Sequence, residues 1–233
     1  MADPLILVPG LGCDRRLWAH QALVLGDDTR ILFADQTRHD SIAAMAAGFL
    51  ADAPSRFTIA GLSMGGYVAL EVLRQAPDRV AGLALIDTNA HADTPESSAR
   101  RQAQIKRADD GDYAGVVDDL IPLLVAANHA DLPAVADVYK AMALDAGADV
   151  FIRQQRAIIS RPDSTGLLAQ VAVPTLVLCG EHDGLSSPAV HRDMAAAIVD
   201  AQLAIIPRAG HLAPLEAPVP VTQAMGDWLR RCG

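Results

Sequence analysis

The chain has 233 residues, 51% hydrophobic and 20% charged, a balance that supplies a sizeable buried core and excludes a disordered chain. Its formal net charge of −9 at pH 7 repels a phosphate backbone, so nucleic acid is not an expected partner. The 3 cysteines (Cys13, Cys179 and Cys232) are odd in number, widely spaced and free of any Cys-x-x-Cys pair, which argues against a disulfide framework or zinc site and for a reducing, cytoplasmic setting.

In chain order, no basic leader precedes the first apolar run, and no run approaches the ~18 residues of a membrane span. Neither a signal peptide nor a membrane association is therefore expected. Short apolar runs at 5–8, 30–33, 57–60 and 80–86 predict buried strands, with helix-forming stretches at 42–52 and 64–75 between them. The runs are continuous rather than alternating, as in parallel strands covered on both faces. Pro77 ends the second helix cleanly. The alternation then breaks over 89–170, which holds no strand-like run but has helical segments at 96–109, 113–126, 133–146 and 150–159. It resumes with a strand at 175–179, a helix at 189–199 opened by Pro188, a strand at 201–206 and a helix at 218–231. This order predicts an α/β class with a doubly wound, mostly or wholly parallel sheet, helices on both faces and right-handed crossovers.

Between the third predicted strand and its helix stands Gly61-Leu62-Ser63-Met64-Gly65. Glycines two residues either side of a serine allow a strand to turn sharply into a helix, leaving the hydroxyl exposed above the sheet. A serine hydroxyl needs a base, and His211 in Ala209-Gly210-His211-Leu212 lies beyond the last predicted strand, kept out of a helix by Gly210 and Pro214. Asp183, in Gly180-Glu181-His182-Asp183-Gly184 after the 175–179 strand, is the leading acid to orient that base. Asp87, which also follows a strand, is the rival. Glu181 and His182 read as solvated loop residues.

These motifs, in the order nucleophile, acid, histidine, resemble the α/β-hydrolase superfamily, in its serine-nucleophile, esterase- or lactonase-like branch with a helical cap. The resemblance implies a core at 1–88 and 171–233 and a cap at 89–170, with no room before Leu5 for the two antiparallel strands that commonly open that fold. It implies a Ser63–His211–Asp183 triad and an oxyanion hole from the Leu11 and Met64 amides, with Pro9-Gly10 standing where relatives often carry His-Gly. It implies no metal or cofactor, and the substrate as a small carboxylic ester. Enol-lactone, carrier-protein methyl ester and thioester substrates stay open, as do carbon–carbon bond cleavage, a lyase or cofactor-free carbon–carbon synthase on the same triad, and a pocket that only binds. The loop Gly10-Leu11-Gly12 lacks the third glycine of a dinucleotide site.

Other residues carry two readings each. Cys13 is a packed thiol or a nucleophile, with packing favoured because no second histidine motif accompanies it. Trp18 lines an acyl pocket or packs beneath the first loop. Asp35 and His39 form a second acid–base pair or a solvated loop. The cations Arg100, Arg101, Lys106, Arg107, Arg153, Arg156 and Arg161 form a solvated helix face, or steer a carboxylate, phosphopantetheine or acidic carrier protein to the pocket.

Overall fold

In a computed structural model, residues 3–127 and 132–233 are described. Strands β1 (Leu5–Val8), β2 (Ile31–Phe33), β3 (Phe57–Leu62), β4 (Val80–Ile86), β5 (Thr175–Gly180) and β6 (Ala201–Ile206) form one sheet in the order β2-β1-β3-β4-β5-β6. Every pairing is parallel, so the sheet is wholly parallel, as the apolar runs require. β1, β3, β4 and β5 are buried at every residue, whereas the edge strands β2 and β6 are largely half-exposed.

Because side chains alternate across a strand, each central strand feeds two cores. Leu5, Leu7, Ala60, Leu62, Ala84 and Ile86 face one, which Trp18 and Trp228 also enter. Ile6, Val8, Ile59, Leu83 and Leu85 face the other. Helices α2 (Ile42–Asp52) and α3 (Met64–Gln75) build the second core, with α9 (Pro188–Ala197) packed on β5 and β6 beside them. Helices α1 (Ala19–Leu25) and α11 (Pro218–Cys232) pack together on the first. Helices α4 (Pro95–Asp109), α5 (Tyr113–Leu124), α6 (Leu132–Ala146) and α7 (Ala148–Ile159) all fall between β4 and β5. Short turns α8 (Thr165–Leu168) and α10 (Ala213–Glu216) complete the order.

Differences from the sequence reading are local. β3 runs on to Leu62 and β5 to Gly180, so the strands carry the backbone up to Ser63 and to the turn holding Asp183. The 3₁₀ turn Arg15–Trp18 and α1 had no periodic signal to announce them; Asp14 opens the turn by accepting from the Arg16 amide at 2.8 Å. Trp18 is completely buried in the first core and contributes nothing to the cavity at Ser63, which decides between its two readings.

Candidate active site

The turn at Ser63 is a strained one. Ser63 has φ 54° and ψ −115°, a conformation that costs a non-glycine residue about 1–3 kcal/mol. Its surroundings enforce it. The Ser63 amide donates to the Ile86 carbonyl at 2.9 Å, while the Ser63 carbonyl accepts from the Thr88 hydroxyl at 2.7 Å and the Gly66 amide at 2.9 Å. The flanking glycines are sterically required. A Cβ on Gly61 would lie 2.1 Å from the Gly65 carbonyl oxygen, and one on Gly65 would lie 2.2 Å from that of Val8. Both obstacles are backbone and cannot rotate away. Gly65→Ala is expected to destabilise the fold by about 3 kcal/mol or more, read as a lowered urea midpoint.

The loop after β6 brings His211 to this turn. Its Nε2 lies 2.9 Å from Ser63 Oγ, and its Nδ1 lies 2.9 Å from Asp183 Oδ2. An ionised carboxylate only accepts, so Nδ1 carries the proton and Nε2 is left to accept from the serine hydroxyl. Asp183 Oδ1 accepts from the amides of Leu185 at 2.8 Å and Ser186 at 2.9 Å. Burial alone would raise the Asp183 pKa; His211 and these hydrogen bonds override it and hold the carboxyl below the usual carboxylate value.

Asp87, the rival acid, is fully buried and points elsewhere. Its Oδ1 accepts from the Gly180 amide at 2.8 Å and its Oδ2 from the Ala213 amide at 3.3 Å. It thus ties together the two loops that carry Asp183 and His211. Burial, and after it the nearby Asp183, pushes the Asp87 pKa well above the ordinary carboxylate value. Glu216, which the sequence reading assigned no role, braces the same loop: it accepts from the Gly210 and Ala126 amides at 2.9 Å each and from the Leu212 amide at 3.1 Å. The one hint in the sequence was its place five residues beyond His211.

Ser63 and His211 open into a cavity of about 70 Å³ that Gly10, Leu11 and Cys13 also line. Met64 opens α3 directly after Ser63, so its amide lies in the first turn, where no intrahelical acceptor exists. The Cys13 thiol is pushed up to about 12, by burial first and then by Asp14, and stays protonated at neutral pH. Glu181 and His182 are exposed loop residues. Asp35 pairs with Arg38 at 2.9 Å and, with His39, lines a separate surface cleft.

The reading of the cations as one solvated face is overturned in part. Lys106 and Arg107 are exposed and pair with Asp110, Asp112 and Asp119. Arg161, beyond α7, is instead buried and Arg101 half-buried, and Arg100 and Arg101 on α4 line the cavity. Among the described residues, no group of three or more His, Cys, Asp or Glu is arranged to hold a metal. Among them too, no helix is long and apolar enough to cross a membrane.

The sequence model for the alpha/beta hydrolase family matches residues 5–224. The chain belongs to that family. Among solved structures, this hydrolase resembles a thermophilic esterase from Thermogutta terrifontis, solved with malate bound, at 34% identity and TM-score 0.91 over 100% of this chain and 91% of the other. The enol-lactonase from Burkholderia xenovorans LB400 is 25% identical at TM-score 0.89, over 99% of this chain and 92% of the other. A pimeloyl-[acyl-carrier protein] methyl ester esterase from Neisseria meningitidis is 28% identical over 73% of this hydrolase and 67% of its own length. The acetyltransferase component of an acetoin cleaving system from Pseudomonas putida is 28% identical over 98% of this chain, which spans 64% of that relative's length.

Proposed function

We propose that this hydrolase cleaves small carboxylic esters through an acyl-enzyme, with Ser63 as nucleophile, His211 as base and Asp183 as the acid that orients it. The observation carrying the reading is the hydrogen-bonded chain Ser63 Oγ–His211–Asp183, with 2.9 Å at both links, opening into a cavity. As Ser63 Oγ attacks the ester carbonyl carbon, its proton passes to His211 Nε2. The carbonyl oxygen takes the negative charge and meets the Leu11 and Met64 amides; losing one such donor typically costs about 10²–10³ in rate. Collapse expels the alcohol, which takes its proton from Nε2. Water, deprotonated by the same nitrogen, then frees the acid. No step calls for a metal or cofactor.

The helices between β4 and β5 serve as the cap of residues 89–170 over the core of 1–88 and 171–233. Residues from α4, α5, α6 and α7 line the cavity, which supports that division. At about 70 Å³ the cavity holds on the order of five waters, room for a short acyl group. The similarity to an enol-lactonase and to a carrier-protein methyl ester esterase keeps a lactone or a carrier-bound methyl ester as the second reading.

The test is p-nitrophenyl ester hydrolysis from acetate to decanoate. Turnover is expected to peak at or below butyrate and to fall at least about tenfold by octanoate, as a short pocket rejects added methylenes. A flat profile would contradict the small acyl pocket. No turnover at any length, with activity on a lactone, would move the assignment to the second reading.

A further inference from the structure

Charge is distributed unevenly around the cavity at Ser63. Arg100 and Arg101 line it with Gln104, whereas among the described residues no aspartate or glutamate does. That is unexpected in a chain of formal net charge −9. Arg100 is exposed at the rim, but the Arg101 side chain is only 21% exposed.

Arg101 is held by neighbours that do not neutralise it. Its Nη1 donates to Gln155 Oε1 at 2.8 Å, and the Gln155 amide nitrogen in turn donates to Gln104 Oε1 at 2.8 Å, which fixes the glutamine's orientation. Its Nε reaches Asp93 Oδ1 at 3.4 Å. The same oxygen accepts from Arg161 Nη1 at 2.9 Å, so the shorter bond belongs to Arg161. Arg161 is further fixed by the His91 and Ile158 carbonyls and lies over the Tyr67 ring, 4.3 Å from its centroid. One carboxylate therefore faces two guanidinium groups and leaves a single positive charge uncompensated beside the cavity. Among the described residues, no hydrogen bond engages Arg101 Nη2. Keeping a poorly solvated charge unpaired is costly unless a ligand supplies its counter-charge.

We propose that Arg101 is the carboxylate-binding group of this cavity, and that the preferred ester carries a second, ionised carboxylate in its acyl or its alcohol part. Arg100 at the rim draws that anion in. The guanidinium fork suits a planar carboxylate, and Gln155 and Asp93 present it pre-oriented. This rests on the assignment of Ser63 as nucleophile.

Two matched substrate pairs test it and locate the carboxylate. Monomethyl glutarate against methyl pentanoate places the charge in the acyl part; carboxymethyl butyrate against propyl butyrate places it in the alcohol. In one pair the charged member is expected to be favoured at least about tenfold in kcat/KM. Arg101→Gln is expected to collapse that preference by roughly ten- to a hundredfold, with partial recovery in Arg101→Lys. No preference in either pair, or equal losses on charged and neutral esters in Arg101→Gln, would overturn the proposal and leave Arg101 a strut between α4 and α7. If Arg101→Gln does not fold, inhibition of the unmodified protein by glutarate and by neutral glutaramide decides, and equal potency overturns it. Calorimetry of glutarate with Ser63→Ala separates the two assignments. Binding there, with no ester cleaved by the unmodified protein, upholds the anion site alone, while neutral-ester cleavage by the unmodified protein without glutarate binding to Ser63→Ala upholds only the nucleophile.

Discussion

Ser63→Ala is expected to lower kcat/KM on short-chain p-nitrophenyl esters by a factor on the order of 10⁶, the scale seen when the nucleophile of an acyl-transfer unit is removed. The loss is that large because the remaining groups act only through the serine. His211 Nε2, 2.9 Å from Ser63 Oγ, would have no hydroxyl to deprotonate. The fold should survive intact. The bonds that hold the turn (the Ile86 carbonyl, the Thr88 hydroxyl and the Gly66 amide) all reach backbone atoms of residue 63, which alanine keeps. Alanine at φ 54° is also no more strained than serine there. The melting temperature should therefore stay within about 2 °C of the parent. Residual turnover within tenfold of the parent would remove Ser63 from the nucleophile's role.

What the sequence disclosed of this site follows from the range of the interactions involved. Gly61 was legible because the carbonyl that demands it, that of Gly65, lies within one turn of chain; the obstacle at Gly65 is the distant Val8 carbonyl, and only the serine-flanking pattern marked that glycine. The continuous runs at β1, β3, β4 and β5 were legible because burial on both faces leaves few polar positions, threonines among them. His211 and Asp183 were legible as loop residues following strands. Asp87 and Asp183 could not be told apart that way, since both follow strands. The difference lies in what their oxygens meet: Asp87 binds two backbone amides, one of them 126 residues away, while Asp183 binds His211. The cluster of Arg101, Arg161 and Asp93 was equally hidden. Arg101 and Lys106 give the same charge signal on one helix, and only the structure shows Arg101 turned inward to meet Gln155, 54 residues away.

Asp183→Asn is expected to lower kcat by roughly 10³–10⁴ with little change in KM, leaving a small residual activity. An asparagine amide presents N–H groups where His211 Nδ1 must donate. Turned to offer its oxygen instead, it directs that amide at the Leu185 and Ser186 N–H groups that Asp183 Oδ1 now accepts, 2.8 and 2.9 Å away. Either orientation loses bonds, and the favoured one protonates His211 on Nε2, the wrong tautomer for a base. Asp183 itself stays ionised well into acid, since His211 and the loop amides hold its pKa low against burial, so its own titration sets no limit on activity near neutrality. Asp87→Asn is the control. Burial raises the Asp87 pKa and so favours its neutral form, which the amide mimics, short of one acceptor for the Gly180 and Ala213 amides. The pH dependence has a definite sign: a carboxyl whose pKa is raised on folding favours the fold below the ordinary carboxylate value and loses that contribution as pH climbs toward its own. Asp87→Asn should therefore cost about 1–3 kcal/mol at acid pH, less at higher pH, and no more than about tenfold in kcat. A reversal, with Asp87→Asn the more damaging to kcat and Asp183→Asn mild, would hand the acid's role to Asp87.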